Sequence, residues 1–173
     1  MMPGPDQLGA VLHAAGPQGD LADRLALFGR FVGAWDLEWR GEDHGGRPIV
    51  VRGELHFGWI LDGRAIQDVW RVPLDPADAP GMRGFHGTTI RFYDPAIDAW
   101  RSTWIDPLNG RVLRFIGRTD GDGILLVGID EEPRERWSFR DITADGFRWI
   151  GESSSDGGVT WVQYEEMRAR RRR

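Results

Sequence analysis

Asp68 shares a predicted strand face with Ile66, Trp70 and Val72, so an inward-facing strand takes its carboxylate out of water. A lone buried charge is costly and must pair or take up a proton; Arg91, Arg114 and Arg136 are the candidate partners. In a functional role, Asp68 anchors the polar end of a ligand or acts as a general acid or base. In a structural role it forms an ion pair, or sits at the surface on a strand read one residue out of register. The structural role is the simpler of the two. His86 alternates with Thr88, Ile90 and Phe92, and is either an acid/base group in a cavity or a hydrogen-bonded structural histidine. Gln163 and Glu165, on the face of Val159 and Trp161, raise the same question. His56 shares its face with Arg52 and Glu54 and should point to water.

Other chemistries lack their residues. The chain has no cysteine, which removes thiolate nucleophiles, disulfides and cysteine-bound metals. It has no lysine either, all 22 basic residues being arginine, so no lysine Schiff base can form. No two histidines stand at metal-ligand spacing. Gly121-Asp122-Gly123 reads as a turn, without the helix and full glycine pattern of a nucleotide loop. Ser153 to Ser155 precede a hairpin, not a nucleophile elbow. No cofactor and no metal are expected.

What the chain has instead is tryptophan, nine in 173 residues, mostly at alternating strand positions. Trp39, Trp70, Trp100, Trp104, Trp137 and Trp149, with Phe57 and Gln163, form the candidate ligand-binding wall. Trp35 and Trp161 are expected nearest a plugged end. Some of these rings must simply fill the core. Yet ligand pockets are lined mainly by apolar and aromatic groups with a few polar ones. The leading functional expectation is therefore binding of a hydrophobic, ring-containing small molecule. The alternative is a cofactor-independent cyclase or isomerase using the same cavity, with Asp68 or His86 as its acid or base.

These side chains need strands to hold them. The spacing predicts one helix, with Asp20 as N-cap and Leu21, Leu25, Phe28 and Val32 at helical intervals. Everything after Gly33 alternates as strand and turn. Trp35, Leu37 and Trp39 oppose Asp36, Glu38 and Arg40 on the first strand, a period of two. Turns at His44-Gly45-Gly46, Leu61-Asp62-Gly63, Asp94-Pro95, Asn109-Gly110, Asp120 to Gly123, Asp145-Gly146 and Ser155 to Gly158 separate the segments. The expected fold is all-β: one up-and-down antiparallel β-barrel of about ten strands, with the helix plugging one end. Closure removes the exposed edges of an open sheet, and barrels of about eight strands already hold a small ligand.

Length bounds the chain to one domain. Residues 1–19 read as a flexible leader without signal-peptide features, 20–168 as the barrel and 169–173 as a basic tail. No apolar run approaches the roughly 20 residues of a membrane span, so a cytoplasmic location is expected. The five arginines between Arg168 and Arg173 mask an acidic body; setting them aside takes the net charge from −5 to −10. That body argues against nucleic acid, which needs a basic face. The expected partner is a hydrophobic small molecule, and a homodimer stays open.

Phe31-Val32-Gly33-Ala34-Trp35 is a G-x-W element opening the first strand after a helix. It resembles the start of lipocalin-like, calycin-type barrels. The Leu61 to Arg64 turn, the Tyr93-Asp94-Pro95 turn before Trp100, and the Ser154 to Gly158 hairpin before Trp161 resemble an uncharacterised bacterial lipocalin-like family. The resemblance implies a barrel with an interior cavity that carries an apolar ligand. It extends more loosely to the haem-binding nitrobindins, ten-stranded barrels with a late histidine as iron ligand. The histidines here are His13, His44, His56 and His86, none of them late. That departure argues against haem.

Overall fold

A computed structural model of the chain describes residues 6–43, 45–130 and 133–173; His44 of the first predicted turn lies outside them. Ten antiparallel strands close into a barrel. They are β1 (Gly33–Glu42), β2 (Pro48–Ile60), β3 (Ala65–Val72), β4 (Phe85–Asp94), β5 (Ala99–Asp106), β6 (Arg111–Asp120), β7 (Gly123–Gly128), β8 (Arg134–Arg140), β9 (Gly146–Ser154) and β10 (Val162–Arg171). Each strand pairs with its sequence neighbour, and β1 with β10 completes the ring through Trp35 opposite Arg171 and Trp39 opposite Met167. No sheet edge is left unpaired among the described residues.

Alternation explains which side chains enter. Trp35, Leu37 and Trp39 of β1 are buried, as are Ile66, Asp68, Trp70 and Val72 of β3 and Trp100, Ser102 and Trp104 of β5. The intervening positions carry cross-strand ion pairs on the outer wall, such as Arg136 with Glu152.

The predicted helix is present, with a different start. A 3-10 turn (Gly19–Leu21) leads into α2 (Ala22–Gly29), whose Leu25 and Phe28 are buried. Asp20 does not cap it; its carboxylate reaches Arg64 instead. Phe28 and Phe31 plug one end, meeting Trp100, Phe139, Phe147 and Phe57 ring to ring. Trp35 lies here as expected, its indole N–H donating to the Phe31 carbonyl. Trp161 does not. It sits beyond the far end of β9, against the guanidinium of Arg136, because β10 begins only at Val162.

Both chain ends differ from their sequence reading. Within the predicted flexible leader, α1 (Asp6–Leu12) forms and the chain then runs along the β2–β3 turn. Ala14 N–H donates to the Trp59 carbonyl, Leu61 N–H to that of Leu12 and Gln18 N–H to that of Gly63. Gly63 is needed there: its φ is +75°, and a Cβ would collide with the Gly16 carbonyl. The predicted basic tail is largely strand. Arg171 donates to the carbonyls of Arg30, Val32 and Ala144 and lies 4.1 Å from the Trp35 ring, while Arg172 pairs with Asp36 and Glu54. These guanidiniums find partners from distant segments, which a charge run does not disclose.

Candidate functional site

Opposite the plug the barrel is open and holds a cavity of about 230 Å³. Five tryptophans wall it, Trp39, Trp70, Trp104, Trp137 and Trp149, one each from β1, β3, β5, β8 and β9. Their rings meet mostly edge to face, Trp104 with Trp137 at 6.1 Å and Trp137 with Trp149 at 5.2 Å between centroids, the favoured geometry for aromatic pairs. Phe85, Leu126, Phe139 and Met167 complete the apolar surface.

Three of the five rings are held by their indole N–H. Trp39 donates to Glu165 Oε2 at 2.6 Å, Trp70 to Asp68 Oδ1 at 2.7 Å and Trp137 to the Tyr164 hydroxyl at 2.8 Å. Fixed partners make the wall preorganised rather than merely greasy.

Asp68 is buried, and its partner is Arg91, diagonally across on β4, where Thr89 stands opposite Asp68 and Arg91 opposite Ile66. Its carboxylate also accepts from Thr89 N–H at 2.9 Å. Burial pushes the Asp68 carboxyl up and the Arg91 guanidinium down, and each partner opposes the shift of the other. Asp68 does not line the cavity; Arg91 does, with its guanidinium carbon 4.6 Å from the Phe28 ring and 5.4 Å from that of Phe57. Asp68 is thus spent on its ion pair with Arg91 and on the N–H donors of Trp70 and Thr89, leaving Arg91 and Thr89 as the polar lining that β4 supplies.

The remaining candidates divide. Trp100 is buried against Phe28 and Tyr93, and Phe57 against Phe31, both in the plugged half and away from the cavity. His86 is exposed, since Gly87, Thr89 and Arg91 are the inward residues of β4. The sequence misleads here because Ile90 and Phe92 make the outer face look apolar. Gln163 also points outward. A β-bulge at Tyr164 inserts one residue between Gln163, which pairs with Glu152, and Glu165, which pairs with Gly151. The bulge shifts the alternation of β10, so Glu165 enters the cavity while Gln163 does not.

Sequence reasoning missed Arg91 as a lining residue, along with Tyr164 and the rim of Asp106, Asn109 and Arg111. Asn109 Nδ2 donates to Asp106 Oδ2 and to the Gly84 carbonyl, tying the β5–β6 turn across the rim. Tyr164 hydroxyl donates to Glu135, which also accepts from Arg111. Burial pushes the Glu165 carboxyl up to about 7, with Glu135 and Asp106 adding to the push and Trp39 and Arg111 opposing it. No group of three or more histidine, cysteine, aspartate or glutamate side chains is placed to hold a metal among the described residues, and no described helix is long and apolar enough to cross a membrane.

No family model matches the sequence, and no curated protein matches it. Solved structures do match the fold. Rv2717c from M. tuberculosis is 15% identical, covers 89% of this chain and 100% of its own, and superposes with a TM-score of 0.58. The S-type phycobiliprotein lyase CPES from Guillardia theta is 11% identical, with coverage of 86% and 92% and a TM-score of 0.55. With the closed ten-stranded topology, these place the chain's fold among lipocalin-like barrels.

Proposed function

We propose that the protein binds a hydrophobic, ring-containing small molecule in the open half of the barrel. The observation that carries this reading is the five-tryptophan wall around a preformed cavity. Stacking and dispersion from the rings supply affinity, and the few polar groups orient the ligand. At about 230 Å³ the cavity lies just below the roughly 300 Å³ at which ligand pockets usually begin. A compact ring system therefore suits it better than a long chain. The shared fold of CPES, an S-type phycobiliprotein lyase, is compatible with a small molecule inside such a barrel. Titration with 1-aminoanthracene, followed by tryptophan fluorescence, tests the reading. Saturable quenching at one site per chain is expected; emission that does not respond to it or to a panel of other apolar ring probes contradicts it.

Catalysis is a second reading, favoured by Glu165. Its carboxyl lies on the cavity wall and titrates near neutrality, where a general acid or base works best. Glu165 thus replaces Asp68 and His86 as the acid/base residue of a cyclase or isomerase. Turnover of a bound compound that falls at least tenfold in Glu165→Gln supports this role, and unchanged turnover removes it.

A further inference from the structure

Arg91 is 2% exposed, yet its Nε and Nη1 have no hydrogen-bond partner among the described residues. Asp68 takes only Nη2. Directly across on β5, the hydroxyl of Ser102 is also buried and unpartnered. Buried polar groups are normally satisfied, and an unmade hydrogen bond from a charged donor is especially costly. Arg91 lines the inner end of the cavity, so a small shift of its guanidinium toward that space lets a molecule there complete it.

The charge balance narrows that molecule. Asp68 already neutralises Arg91, so an added carboxylate would leave an uncompensated charge at the floor. The mouth points the same way. Asp106 and Glu165 line it beside Arg111, whose charge is already paired by Glu135 behind the wall. An anion would pass more negative than positive groups on entering. A neutral oxygen acceptor meets neither obstacle.

We infer that the ligand is a neutral ring compound whose carbonyl oxygen points inward, to accept hydrogen bonds from Arg91. The inference rests on the reading of the cavity as a binding site and adds the ligand's chemical class and direction. The tryptophan wall takes the ring; the floor recognises the oxygen. A hydrogen bond from a charged donor then separates a ketone from the matching hydrocarbon by about 10- to 100-fold in affinity.

Three probes of similar size test this on the full-length protein, each followed by tryptophan fluorescence: 1-tetralone, tetralin and 1-naphthoate. The expected order is tetralone tightest by at least tenfold, with naphthoate no better than tetralin. In the double variant Asp68→Asn/Arg91→Met, the advantage of tetralone over tetralin should vanish while tetralin binding persists. A measurement on the unaltered protein stands beside it in case that variant does not fold. The infrared carbonyl band of bound ¹³C-labelled tetralone should lie below its frequency in an apolar solvent. Equal binding of tetralone and tetralin with an unshifted band overturns the inference and leaves the cavity reading intact. Naphthoate binding tightest overturns it in favour of an anionic ligand. Failure of all three to bind counts against the cavity reading itself, and the inference falls with it.

Discussion

Removing one member of the Asp68–Arg91 pair strands the other in the core. Asp68→Ala should lower the unfolding free energy by about 3–5 kcal/mol, measured by urea denaturation. Asp68→Asn/Arg91→Met removes both charges, keeps an acceptor for Trp70, and should recover most of that loss. Glu165 makes a pH-dependent contribution. Its carboxyl titrates near 7 in the folded protein against an ordinary value of 4.5, so between those values the folded chain holds a proton that the unfolded chain has released. Stability should therefore fall as pH rises from about 4.5 to about 7, by about 3 kcal/mol, and then level off. Urea unfolding at pH 4.5 and pH 8 measures the difference, which Glu165→Gln should sharply reduce; a pH-independent native protein would contradict the burial argument. Asp68 itself illustrates the reach of sequence reasoning. Its face was legible from Ile66 and Trp70, but choosing Arg91 over Arg114 and Arg136 required knowing that β4 lies beside β3 with that register. The other two arginines serve Asp130 and Glu152.

Strands carry the cavity only where their neighbours make room. Gly87 of β4 lies under the Trp104 ring, and a Cβ there would strike both that ring and the Ile105 carbonyl. Gly87→Ala should cost about 1–3 kcal/mol through overpacking, read from urea melts, and should also weaken probe binding by displacing Trp104. At the plugged end, Arg171 ties β10 to the residues that follow α2. Arg171→Ala should cost about 2 kcal/mol, from charge-assisted hydrogen bonds and the contact with Trp35. Strand positions were largely legible because one wall of each strand faces apolar space and the other water. The bulge at Tyr164 was not, since a single inserted residue leaves no compositional mark yet reverses Gln163. Nor was the inward face of β4, where glycine, threonine and arginine enter and Ile90 and Phe92 stay outside. The segment from α1 to Gln18 was also hidden, because it bonds to the β2–β3 turn some fifty residues on.

Closure of the whole barrel depends on β10, which joins β9 to β1 and brings the two ends of the sheet together. The plug and the open half divide the interior between them: phenylalanine from α2 and the strands fills one end, while tryptophan lines a space at the other. A barrel built only for stability would pack both ends alike. Such asymmetry calls for an occupant, and native mass spectrometry of the protein as purified, with denaturing extraction of whatever it carries, looks for one. The expected result is a one-to-one adduct whose extracted component is a neutral ring compound bearing a carbonyl oxygen. A protein with the mass of the bare chain, which also stays bare when incubated with a broad panel of ring-containing ketones, would contradict the reading of the cavity as a binding site.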